Sequence, residues 1–184
     1  MADTFPRTGR WSSGYDVEQV DEFFEQARAA YEDDGASGTT MTAEDVRNAV
    51  FDLVRGGYDP AHVDAALDRL EAAFVQRARA RHIGQAGQDA WMEEVARRAT
   101  TLYPRLVRPA GERFAPPERG RGYDRESVDA LLDRLVDYFD SGAELSAAEV
   151  RSATFKSAPR DRAYAEGPVD AFLDRAVDVL LAVE

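Results

Sequence analysis

Two imidazoles and no thiol bound the chemistry that this chain can perform. His62 and His82 are the only histidines among 184 residues, and cysteine is absent. A catalytic dyad or a metal centre would need one of them beside a second base or ligand. His62 sits three residues after Asp59, in the first turn of a helix start, where it caps or faces solvent. His82 closes the arginine-rich run "RARARH". Neither has an H-x-x-x-H partner, so zinc-site spacing is missing. No P-loop, dinucleotide fingerprint or nucleophile elbow occurs. The glycines of "RGGYD" and "GRGYD" lack phosphate-cradle spacing, and most of the 35 carboxylates fall at helix starts or on polar faces. The expectation is a protein that is not an enzyme and holds no cofactor and no metal.

The charge narrows the partners. A formal net charge of −12 repels phosphates, so no nucleic acid is expected. Residues 77–125 run the other way, with eleven arginines against six acids. That basic middle reads as the complement of acidic flanks, or as a docking strip for an acidic partner. Lys156 is the one lysine beside 22 arginines, a bias typical of a bacterial genome rich in G and C. No run of 18 apolar residues and no signal-peptide profile is present, and the lack of cysteine fits a reducing cytoplasm.

The elements that place these residues come from one repeated phrase. "GYDVEQVDEFF" at 14–24 returns as "GYDPAHVDAAL" at 57–67, "GYDRESVDALL" at 122–132 and, worn down, "AYAEGPVDAFL" at 163–173. Each reads as a helix start. Asp16, Asp59 and Asp124 are N-caps, while Tyr15 with Val20, Tyr58 with Val63 and Tyr123 with Val128 form hydrophobic staples. The fourth copy keeps Tyr164 and Val169 but has Ala165 at the cap, which predicts a weaker start. Gly14, Gly57 and Gly122 are read as permitting a sharp entry. Asp21, Asp64, Asp129 and Asp170 follow the staple valines, where a helix N-terminus welcomes negative charge. Apolar residues then recur at helical spacing, predicting helices over 16–33, 59–80, 124–140 and 168–183.

A second phrase, "MTAEDVRNAVF" at 41–51, matches "LSAAEVRSATF" at 145–155, with Thr42 and Ser146 as caps and Asp45 and Glu149 completing capping boxes. Equivalent positions in the two halves stay about 104–108 residues apart. The chain therefore reads as a tandem duplication: a first repeat unit at 1–80, a connecting helix and proline-containing linker at 81–113, and a second unit at 114–184. In the connector, Trp91, Val95 and Leu102 share a helical face, Gly84 and Gly87 are candidate breaks, and Pro104 should end the helix. No segment alternates apolar and polar residues as a strand would. The fold class expected is all-α.

Residues 41–70, "MTAEDVRNAVFDLVRGGYDPAHVDAALDRL", resemble the N-terminal head of the DivIVA family. That head reads as a short "L-T-x-x-D-V" helix, a phenylalanine, a loop, "R-G-Y-D" and "V-(D/N)-x-F-L". The six-residue step from Phe51 to Gly57 is part of the match, and the fourth copy carries two extra residues in its loop. The resemblance implies a non-enzymatic scaffold or adaptor in bacterial cell division or polar growth. Its partners would be proteins, with self-association and at most weak membrane contact. The implied location is the cytoplasm, peripheral to the inner face of the membrane at poles or septum. Family membrane contact is attributed to an apolar residue beside a basic one just before the glycine–tyrosine pair. Arg10 and Trp11 recreate that tip, whereas the other copies place only Arg55 and Arg121 there. The family's long coiled coil has no counterpart, so pairs of head-like helices on one chain are expected to pack as intramolecular pseudo-dimers. The competing reading is a soluble acidic regulatory module that binds a basic protein and is unrelated to division.

Overall fold

The computed structural model describes residues 4–32 and 41–184. The expected helix end at residue 33, and residues 1–3 and 33–40 of the first repeat unit, lie outside them. The chain divides into two compact units, Met1–Arg81 and His82–Glu184.

The first unit opens with strand β1 (Ser13–Tyr15), helix α1 (Val17–Glu32), the short helix α2 (Ala43–Arg47), strand β2 (Leu53–Arg55) and helix α3 (Pro60–Ala86), which runs through the division between units. The helices begin where carboxylates and hydroxyls satisfy free backbone donors. Gln19 N donates to Asp16 Oδ1 at 3.1 Å and Ala61 N to Asp59 Oδ1 at 2.9 Å. Thr42 and Asp45 close a capping box on α2. Val20, Phe51, Tyr58 and Val63 form one buried cluster, against which Tyr15, Phe23, Phe24 and Leu67 pack. A second cluster joins Ala27 and Ala30 of α1 with Val46 and Phe74. α2 is fastened to α3 by Arg47, whose Nε and Nη2 donate to Oε1 of the buried Glu71 at 2.9 and 2.6 Å.

The second unit contains α4 (Gln88–Thr100), α5 (Tyr103–Leu106), β3 (Arg121–Asp124), α6 (Arg125–Ser141), α7 (Ala147–Arg151), β4 (Ser157–Pro159), a 3-10 turn (Arg160–Arg162), β5 (Ala163–Tyr164) and α8 (Glu166–Val183). α8 is its axis. Nine of its residues, from Val169 to Ala182, are buried, and Trp91 Nε1 donates to Ala182 O at 3.2 Å. The connector at 81–113 thus packs into this unit. Gly87, at φ +91°, separates α3 from α4, while Gly84 stays inside α3. Pro104 does not end α4, which stops at Thr100. It occupies the first turn of α5, where proline's missing N–H costs nothing. Asp124 and Ser146 cap α6 and α7, and Ala165 makes no side-chain cap, so α8 starts without one.

The fold is mostly helical, and the expectation of an all-α chain is corrected by two small antiparallel sheets. One pairs β1 with β2 and the other has the order β4-β3-β5. β1, β3 and β5 take in the entry residues of the repeated phrase, whereas β2 and β4 lie just before it. Tyr15 N donates to Tyr58 O at 2.9 Å and Tyr58 N to Tyr15 O at 2.8 Å, and Tyr123 lies opposite Tyr164 in the β3–β5 pairing. With only two to four residues each, these strands are too short to display a period of two.

The phrase glycines also change role. None of Gly14, Gly57 and Gly122 has a positive φ. A Cβ on Gly14 would lie 2.3 Å from Tyr58 O, one on Gly57 2.3 Å from Tyr15 O, and one on Gly122 2.1 Å from Tyr164 O. Glycine is required because two backbones touch there. Gly14→Ala and Gly122→Ala should each destabilise by at least about 2 kcal/mol in urea unfolding. Gly167→Ala, in open space within α8, should be neutral or slightly stabilising. Equal midpoints for all three would refute the close-approach argument.

Candidate functional site

At the centre of each unit, a tyrosine leaving one copy of the phrase crosses to the helix started by the other. Tyr58, fully buried, donates its hydroxyl to both oxygens of Asp21 on α1 at 3.1 Å, and accepts from Thr4 N at 3.0 Å. Tyr164, equally buried, donates to both oxygens of Asp129 on α6 at 3.1 Å, and accepts from Arg113 N at 3.1 Å. The return crossings are looser. Tyr15 faces Asp64 on α3, and Tyr123 faces Asp170 on α8. The four acids read as helix-dipole partners are therefore the acceptors that receive the opposite tyrosine. Val20, Val63, Val128 and Val169 are fully buried beneath these crossings.

In the second unit the clasp carries extra charge. Asp129, only 6% exposed, also accepts from Gly111 N at 2.7 Å. Arg113, 5% exposed, donates through Nη1 to Asp129 O at 2.9 Å and through Nη2 to Asp133. A buried carboxylate is costly unless bonded in this way. Phe5 and Phe114 play the same part in the two units, each with its ring edge-on to a clasp tyrosine at 5.4 Å.

The segments around the two small sheets hold the exposed candidates. In the first unit Trp11 is 77% exposed, with the Arg10 guanidinium 5.3 Å from its ring centre. Its turn is held by Ser12 N donating to Gly9 O, Gly56 N to Ser12 O, and the Thr8 hydroxyl to Ser12 O and Gly57 O. Arg55, opposite Ser13 in the sheet, is exposed as well. Val50 and Leu53 are exposed as well, at 88% and 65%, and nothing in the sequence pattern had singled them out.

The second unit's tip differs. Arg121 is not a free tip residue, because its Nε and Nη2 donate to the Ser157 hydroxyl and carbonyl at 2.9 and 2.7 Å. Arg119 and Arg160 are further exposed cations at that end of β3, while Lys156 and Arg162 are exposed near its other end, beside Asp124, and sequence reasoning missed all four. The two-residue insertion in the fourth copy was the available signal, since the longer loop folds as the 3-10 turn Arg160–Arg162. Beside the two-stranded sheet of the first unit lies an open groove of about 840 Å³ between α1 and β2, lined by Asp16, Glu18, Asp21, Glu22 and Glu25 with Arg7 and Arg55.

No family model, curated protein or solved structure matches the chain. Among the described residues no helix is long and apolar enough to cross a membrane, and no three His, Asp or Glu side chains are grouped to hold a metal ion. His62 Nδ1 lies 3.3 Å from Asp59 at the start of α3, and the His82 ring meets Trp91 edge-on.

The clasp predicts an alkaline limb. Burial first, and then the facing carboxylate, push Tyr15 and Tyr123 above their ordinary value, and burial does the same to Tyr164. Above about pH 10 the unfolded chain releases these phenolic protons while the folded chain keeps them. Stability is therefore level below about pH 10 and falls as pH rises through the folded values. In urea titrations at about pH 9 and pH 11, wild type should lose more stability than Tyr15→Phe/Tyr123→Phe; equal losses would remove the effect from these residues.

Proposed function

We propose that this chain is a non-enzymatic scaffold of the DivIVA type, acting in bacterial cell division or polar growth through protein contacts and a peripheral touch on the membrane. Each unit is read as an intramolecular pseudo-dimer of two head-like copies, produced by duplication along one chain. The observation that carries this reading is the reciprocal exchange at Tyr15 and Tyr58, where two glycine–tyrosine entries bind each other's backbone and each tyrosine reaches the other's helix. A head built for a partner chain would find the same partner here on its own chain.

The membrane part rests on the turn that precedes β1. Trp11 presents an amphipathic ring at a braced turn, and Arg10 beside it supplies attraction to anionic headgroups. The net charge of −12 keeps this contact weak and local.

Co-sedimentation with vesicles containing phosphatidylglycerol should pellet wild type, and Trp11→Ala should weaken binding about tenfold, the effect of roughly 1.4 kcal/mol. Absence of wild-type binding would remove the membrane limb. A fluorescent fusion should collect at poles or septa; diffuse fluorescence would undercut the scaffold reading and favour the acidic regulatory module.

A further inference from the structure

The small sheets end in two equivalent outer edges that are finished differently. In the first unit, Asp16 N donates to Asp52 O at 2.8 Å and Gly56 N to Ser12 O at 3.0 Å, with Val54 opposite Gly14 between them. In an antiparallel ladder this alternation aims the backbone groups of residues 52, 54 and 56 at β1. Those of Leu53 and Arg55 therefore point the other way, and among the described residues nothing bonds to them. Leu53 is 65% exposed, and Val50, just before the strand, is 88% exposed. An open edge flanked by apolar side chains is a template for another strand.

The second unit closes the same edge. Ser157 lies opposite Tyr123 as Leu53 lies opposite Tyr15, and Pro159 lies opposite Arg121 as Arg55 lies opposite Ser13. Asp124 N donates to Lys156 O at 2.8 Å, so Ser157 and Pro159 are the residues that face outward on β4. Pro159 has no N–H to donate, and the Ser157 carbonyl already accepts from Arg121 Nη2 at 2.7 Å. A serine also stands where the first unit has its exposed leucine. Of the two edges, only β2 keeps every outward donor and acceptor for a partner.

We propose that the outer edge of β2 pairs antiparallel with β2 of a second copy of this chain, around a twofold axis at Val54. In that register Leu53 lies opposite Arg55 of the other copy, and the outward amides and carbonyls of both residues find partners in both copies. The Arg55 stem covers the exposed leucine, and Val54 meets Val54 of the other copy. The second copy is the occupant because the edge is its own complement. Arg55 also brings a cation to a chain of net charge −12, so charge favours the approach of this strand. The contact is isologous and uses up the edge on both sides, so it stops at two, with strands in the order β1-β2-β2-β1. Three-residue strands bury far less than the roughly 1,200 Å² of a stable interface, which makes the dimer weak, forming at about 0.1–1 mM protein. The inference stands on these edges alone and does not depend on the scaffold reading.

The chain has no cysteine, so a single Val54→Cys reports the contact. Facing Cα atoms in such a pair lie about 4.5 Å apart, within the roughly 4.4–6.8 Å that a disulfide spans. Under mild oxidation, the full chain with Val54→Cys should form about tenfold more cross-linked dimer than the same chain with Arg55→Pro added, because proline closes the edge. Arg55→Pro copies Pro159 of the second unit and should leave circular dichroism unchanged. Leu53→Ser copies Ser157 and keeps the backbone intact; it should weaken association severalfold. Sedimentation equilibrium of the wild-type chain, in about 0.5 M salt to screen repulsion between acidic copies, should rise from 20.4 kDa toward twice that mass. A wild type that stays monomeric at about 1 mM would overturn the proposal and leave the edge to a strand of another protein. Equal cross-linking with the edge open or closed, or growth beyond a dimer, would overturn it too.

Discussion

The structure depends on one reciprocal contact. A glycine–tyrosine entry from one copy of the phrase lies against the entry from another, close enough that the tyrosines of the first unit exchange both backbone hydrogen bonds. Each tyrosine side chain is then committed across the gap, toward an aspartate on the helix that its counterpart has just begun. Glycine at 14, 57 and 122 permits this approach, because even a methyl group there would strike a carbonyl oxygen, while the fourth copy carries Ala163 before its tyrosine. From there the rest follows. The capped helices leave the crossing with their valines buried beneath it, and the short helices α2 and α7 close over them.

The two units satisfy this constraint in different ways. In the first, the clasp carboxylate Asp21 is partly exposed and takes one backbone-anchored tyrosine. In the second, Asp129 is buried and needs Gly111 N and the Arg113 guanidinium around it. A similar asymmetry marks the short helices. Arg47 is fixed by the buried Glu71, while the residue at the corresponding place on α8 is Val177 and the acid that serves α7, Glu149, is on the surface with Arg134. The exposed residues diverge furthest, with Trp11, Val50 and Leu53 in the first unit and Arg119, Lys156 and Arg162 in the second.

Much of the interior was legible in the sequence because caps and apolar spacing are local. Asp16, Thr42, Asp124 and Ser146 sit where their side-chain oxygens meet backbone donors a few residues on, and that geometry involves no distant partner. The strands were invisible for the opposite reason. Two to four residues carry no periodicity, and Tyr15 becomes a strand residue only because the distant Leu53 pairs with it, with a further isolated bridge to Tyr58. The glycines were visible, but their cause was non-local: the facing carbonyl sets the requirement and φ does not. Among the exposed candidates, Arg10 and Trp11 could be read from their adjacency. Arg121 could not, because Ser157, which holds it, lies 36 residues away in the loop before the fourth copy. Lys156 and Arg162 come beside Asp124 only because β4 and β5 flank β3.

The most direct test of the clasp is a double-mutant cycle on Tyr58→Phe and Asp21→Asn, read by urea unfolding at neutral pH. If the hydroxyl and the carboxylate act on each other as described, the two losses will be non-additive, with a coupling of about 0.5–3 kcal/mol. Strictly additive losses would mean that the tyrosine is merely packed beside the aspartate, and the crossed contact would no longer explain why the units fold around it.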